Sequence, residues 1–163
     1  MGHHAVSGLV GKLMTEIEVH CGADKFYNIW KYHEEVPQAV PHLFTGVKVI
    51  QGDGLESGCI KEWDYIVEGK ALNGKEVSTY NDEKRTIHHL SLGGDLKKDY
   101  EKFNYKKINY IIEVKPKPSG NGSIVSWSIV YEKVNEESPV PFDYLKFFHQ
   151  NIVDMNSHIC ESE

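Results

Sequence analysis

No run of apolar residues in this chain approaches the ~18 that a helix needs to cross a bilayer. The first twelve residues, Met1 to Lys12, lack the basic-then-apolar order of a secretion signal. Cysteine is scarce. Cys21, Cys59 and Cys160 are odd in number and widely spaced, which predicts reduced thiols rather than a disulfide framework. Without a secretion signal, Asn121-Gly122-Ser123 reads as a hairpin turn rather than a glycosylation site. The expected compartment is therefore the cytoplasm. Positive charge is also short: 18 Lys and Arg stand against 24 Asp and Glu, a net charge of −6. Nucleic-acid binding rests on cations that neutralise phosphates, so no nucleic-acid partner is expected. The one basic stretch, Lys97, Lys98, Lys102, Lys106 and Lys107, is interleaved with Asp95, Asp99 and Glu101 and reads as a solvated face.

Motifs for metals, phosphates and covalent catalysis are missing as well. Gly52 to Gly58 is glycine-rich, but no Lys-Ser/Thr pair follows, so it is a flexible turn and not a phosphate loop. His88 and His89 are neighbours on a strand; their side chains leave opposite faces and cannot share a metal. His33, His42, His149 and His158 show no ligand spacing, and no metal or other cofactor is expected.

What the chain does have is alternation. Its 163 residues fit a single domain, 1–163. Leu13, Thr15, Ile17 and Val19 share one face of a strand. Asp24 reads as the cap of a short helix carrying Phe26, Tyr27 and Trp30, and Pro37 and Pro41 bracket a second containing Val36 and Val40. Strands are expected at Val47–Ile50, Cys59–Glu68, Glu76–Tyr80, Thr86–Leu92, roughly Phe103–Val114, and Ser123–Lys133, with Asn73-Gly74 as a hairpin signal. From Pro141 to Cys160 the period changes: Leu145, Phe148, Ile152, Met155 and Ile159 recur at steps of three and four. Strands joined by tight turns, closed by one helix with an apolar stripe, make an α+β domain.

Alternation turns Lys61, Trp63 and Tyr65 inward on one strand and Trp127 and Tyr131 inward on another, with Thr15 and His89 as polar inward positions. A curved sheet around one helix is hard to fill, so these residues either pack a core or line a ligand cavity. Lys61 can pair there with a glutamate or a tyrosine.

Several stretches carry a family resemblance. They are Val6-Ser7-Gly8-Leu9-Val10-Gly11-Lys12-Leu13, Ser57-Gly58-Cys59-Ile60-Lys61-Glu62-Trp63, Asn121-Gly122-Ser123, Tyr131-Glu132-Lys133 and Pro141-Phe142-Asp143-Tyr144-Leu145-Lys146-Phe147-Phe148-His149-Gln150. They resemble the poppy major latex proteins of the pathogenesis-related class-ten, birch-pollen-allergen superfamily, whose relatives include thebaine synthase and neopinone isomerase. The resemblance implies a helix-grip fold: seven antiparallel strands curved around a long C-terminal helix, with two short helices. It also implies a large cavity for alkaloids, hormones or phenolics, lined here by Lys61, Trp63, Tyr65, Ile87, His89, Val125, Trp127, Phe148, Ile152 and Met155. Trp30, Val40 and Tyr144 complete the expected ligand-binding set.

Two departures stand out. Gly93-Gly94-Asp95 replaces the Glu-Gly-Asp of the relatives, and the stretch from Asn104 to Tyr110 looks longer than its counterpart. The strand Ser123–Tyr131 also has no lysine, whereas the related norcoclaurine synthase relies on one there. The expected function is storage or transport of a flat apolar ligand, above all a benzylisoquinoline or morphinan alkaloid, in the cytoplasm, latex vesicles or vacuole. The alternatives are an alkaloid-processing enzyme with His89 as its acid/base group, and a hormone- or lipid-binding module. A homodimer is one assembly the resemblance admits.

Overall fold

The computed structural model describes residues 9–94 and 105–161. Most of the lysine-rich stretch, the start of the Val6–Leu13 motif, and Asp95 and Asn104 lie outside these residues. Seven strands form one antiparallel sheet: β1 (Val10–Val19), β2 (Phe44–Gln51), β3 (Cys59–Val67), β4 (Lys70–Asn81), β5 (Thr86–Gly94), β6 (Tyr105–Pro116) and β7 (Ser123–Lys133). Their order across the sheet is β1-β7-β6-β5-β4-β3-β2. Between β1 and β2 run two short helices, α1 (Ala23–Tyr32) and α2 (Val36–Ala39); α3 (Phe142–Met155) follows the sheet. α3 lies across β1, β7 and β3 and supplies the inner wall opposite the sheet.

The strand period decides which residues meet it. In β3, Cys59, Lys61, Trp63, Tyr65 and Val67 are buried and their neighbours are not, as period-two alternation requires. The register carries this face across the sheet: Lys61 opposes Glu76, Ser78 opposes His89, His89 opposes Tyr110, and Ile112 opposes Trp127. His88, one residue from His89, faces out.

Four local expectations are corrected. Asn73 and Gly74 lie inside β4, not in a turn. The β3–β4 hairpin turns at Glu68 and Gly69, both at positive φ (53° and 74°), the conformation that a two-residue turn of this kind demands. Gly74 instead leaves space for the ring of Tyr65, which lies 3.4 Å from where a Cβ would stand. Asp24 is not the cap of α1. Gly22 occupies that position, and Asp24 sits in the first turn, where its carboxylate accepts from Arg85 Nε at 2.7 Å.

The C-terminal helix is not one continuous α-helix. It passes after Met155 into a π-helical turn, Asn156–Cys160. Finally, two of the three cysteines are bonded: Cys21, just after β1, is joined to Cys160 in the π-helical turn, with Cα atoms 4.8 Å apart. A separation of 139 residues hid this pairing from any spacing argument. The cysteine count therefore gives no support to a reducing compartment. Cys59 is a free, buried thiol.

Candidate functional site

Where α3 crosses the sheet, its inner face carries Tyr144, Phe147, Phe148, Ile152 and Met155, all buried. Leu145 and Ile159 sit at the margin of the stripe, only partly buried. Phe148 stacks on Trp127 of β7, with ring centres 4.5 Å apart and planes 6° from parallel. Trp30 of α1 meets the same indole edge-on at 5.0 Å, and Tyr110 of β6 meets Phe148 edge-on at 4.9 Å. Phe44 of β2 bridges to Trp63 at 5.2 Å and to Phe147 at 5.4 Å. Offset and edge-to-face contacts of this kind add to the burial each ring already gains.

These rings border a void of about 30 Å³, room for one or two waters. Ligand pockets usually measure about 300–1,000 Å³. The large cavity implied by the resemblance is therefore filled in this conformation by the protein's own aromatic side chains.

Seven of the expected ligand-binding residues line the void: Trp30, Trp63, Tyr65, His89, Trp127, Tyr144 and Phe148. The other six, Val40, Lys61, Ile87, Val125, Ile152 and Met155, are completely buried but pack behind the lining. Of the further inward positions, Tyr131 is buried, while Thr15 is half-buried and bonds His149 at 2.6 Å. Phe44, Glu76, Tyr110 and Phe147 line the void and were missed. Glu76 could have been found by carrying the period of β4 across from Lys61. Phe147 could not, because a simple three-four stripe passes over it.

The polar end of the void is built from two neighbouring strands. His89 Nδ1 on β5 lies 3.0 Å from Ser78 Oγ and 3.1 Å from Glu76 Oε2, both on β4. Beside Glu76 the β4–β5 register slips, Lys75 facing Gly93 but Glu76 facing Ser91. Such a bulge re-aims the residues next to it. Burial pushes the Glu76 carboxyl up to about 7, against the pull of Lys61. Burial, helped by Lys61, pushes the His89 imidazole down to about 3. His89 is thus neutral at pH 7, and one proton serves the Glu76–His89 contact.

Lys61, pushed down to about 8 by burial, donates from Nζ to the carbonyl of Lys31 at 2.8 Å and sits 5.2 Å from the centre of the Tyr80 ring. A cation at the last turn of α1 also meets the negative end of its dipole. Three indoles that line the void, Trp30, Trp63 and Trp127, each bury an Nε1–H with no acceptor among the described residues. No group of three or more metal-ligating side chains comes together among the described residues, and none of their helices is long and apolar enough to cross a membrane.

The comparisons agree with this architecture. Residues 8–162 match the pathogenesis-related protein Bet v 1 family. The chain is 53% identical to major latex protein 146 of Papaver somniferum over the whole of both chains. Its fold is similar to that of major latex-like protein 151 from Panax ginseng, with a TM-score of 0.81 and 26% identity over 93% of this chain and 99% of that one. A norcoclaurine synthase from Thalictrum flavum, solved with dopamine and hydroxybenzaldehyde, shares the fold at a TM-score of 0.70 and 18% identity, over 100% of this chain and 94% of that one. With its strand order, its gripped C-terminal helix and a match over nearly its full length, the chain belongs to the Bet v 1 family and, within it, to the major latex proteins.

Proposed function

We propose that this protein binds flat aromatic small molecules, benzylisoquinoline and morphinan alkaloids above all, between its sheet and α3, and serves to store or carry them in the cytoplasm or in latex vesicles. The observation that carries this reading is the aromatic lining, in which Trp30, Trp63, Trp127 and Phe148 converge on one void. A core that needed only stability would have no use for three buried indole N–H groups without acceptors. Calorimetric titration with a panel of such alkaloids tests the reading. Wild type should bind at least one of them, and Trp63→Ala and Trp127→Ala should each weaken that binding several-fold through lost stacking. Unchanged affinity in both variants would remove the proposed lining.

Glu76 favours a second reading, an alkaloid-processing enzyme. A general base works best with a pKa near the operating pH. His89, at about 3, is a feeble base at neutrality, whereas Glu76, at about 7, is matched to the task. An assay for thebaine formation or for neopinone–codeinone interconversion separates the readings: a carrier gives no acceleration. Turnover that falls about 10²–10⁴-fold in Glu76→Gln would establish the enzyme.

A further inference from the structure

The Glu76 carboxylate faces the void. Among the described residues, the only side-chain nitrogen within ion-pair reach of it is His89 Nδ1, on an imidazole that is neutral. The nearest cation, Lys61, acts on it through space but makes no direct ion pair with it. Lys61 stands opposite Glu76 in the register of β3 and β4, yet its Nζ donates to the Lys31 carbonyl and Lys61 does not border the void. The void therefore presents one carboxylate, several aromatic rings and no cation. That combination recognises an organic ammonium: the carboxylate supplies the countercharge and the ring faces attract the cation through their quadrupoles. The three indole N–H groups are donors only and call for acceptor oxygens on the same ligand.

We infer that Glu76 is the cation-recognising group of the cavity, and that the site takes aromatic amines in the ammonium form, carrying ether or phenol oxygens for the indole N–H groups of Trp30, Trp63 and Trp127. This rests on the cavity reading above and sharpens it. A carboxylic acid of the same size would meet the charge of Glu76, and a neutral terpenoid would bring no countercharge into the void. The groups facing Glu76 are Lys61 from β3 and His89 from β5, with the Tyr110 and Tyr144 rings from β6 and α3 on the same void. With burial holding Glu76 near 7, the carboxylate is charged above that pH and neutral below it. Acidification should then release an ammonium ligand while leaving a neutral one bound.

The test uses two matched probes, a dimethoxybenzyl-dimethoxytetrahydroisoquinoline as its N,N-dimethyl ammonium salt, charged at every pH, and as its neutral N-acetyl amide. At pH 8, full-length wild type should bind the ammonium about tenfold or more tightly than the amide. The preference should shrink as pH is lowered to 5.5. In Glu76→Gln at pH 8 it should vanish, the two probes binding within about twofold of each other. Equal affinities in wild type at pH 8, a preference indifferent to pH, or one that survives in Glu76→Gln would each overturn the assignment. The pH series needs only wild type, so it decides the matter even if the variant folds poorly. Binding of neither probe would overturn the cavity reading itself, a result distinct from equal binding of both.

Discussion

At the scale of single residues, Glu76 and His89 tie stability to pH in opposite directions. His89 titrates near 3 in the folded chain against 6.5 ordinarily, so its contribution is lost as pH falls from 6.5 toward 3. Glu76 titrates near 7 against 4.5, so its contribution is full below 4.5 and lost as pH rises through 7. Between 4.5 and 6.5 the two slopes, each at most ~1.4 kcal/mol per pH unit, largely cancel. Glu76→Gln removes one of them. The gap in melting temperature between wild type and Glu76→Gln should therefore widen on acidification from pH 6.5 to 4.5, by about 5 °C for a domain of this size. A constant gap would show that the two groups do not titrate as described. The inward position of His89 was legible from alternation alone, since it and His88 must point apart. Its carboxylate partner was not, because the strand holding Glu76 was recognised without deciding which of its faces looks in.

At the scale of elements, the seven strands were legible wherever alternation is long, as in β3 and β7, and least where a glycine misleads. Asn73-Gly74 reads as a turn, yet Gly74 serves the Tyr65 ring from within β4. The end of the C-terminal helix was also beyond sequence reasoning, because a π-helical turn depends on what it must reach. Here the turn brings Cys160 to Cys21, and Asn156 Oδ1 accepts from the backbone N–H of His20 at 2.8 Å. His20 Nε2 lies 3.4 Å from Glu161 Oε1 beside them. Closing a loop of this length restricts the unfolded chain by roughly 4–5 kcal/mol in the chain-entropy account. Cys160→Ser should lower the urea midpoint by an amount that reductant reproduces in wild type. Reductant should have no further effect on the variant. An unchanged midpoint in both would mean that the bond contributes nothing to stability.

At the scale of the whole molecule, the question is how a ligand enters a fold whose cavity is already full. The void of about 30 Å³ holds no alkaloid, and packed interiors resist gradual deformation. On the proposed function, lining side chains must move before a ligand can enter, and the stacked pair of Trp127 and Phe148 is the gate we predict, with association slower than at a preformed site. Two residues of α3 separate this gate from ordinary packing. Phe148 borders the void, stacking on Trp127. Ile152, one turn later, is completely buried but lies behind the lining. Phe148→Ala should cost about 3–5 kcal/mol of stability and Ile152→Ala about 2–5 kcal/mol, each through lost contacts and the hole left behind. Only the first enlarges the space a ligand would occupy. Stopped-flow quenching of tryptophan fluorescence should then show association about tenfold faster in Phe148→Ala and unchanged in Ile152→Ala. Equal acceleration in both would point to general loosening of the core, and no acceleration in Phe148→Ala would mean that ligand enters without parting the stacked rings.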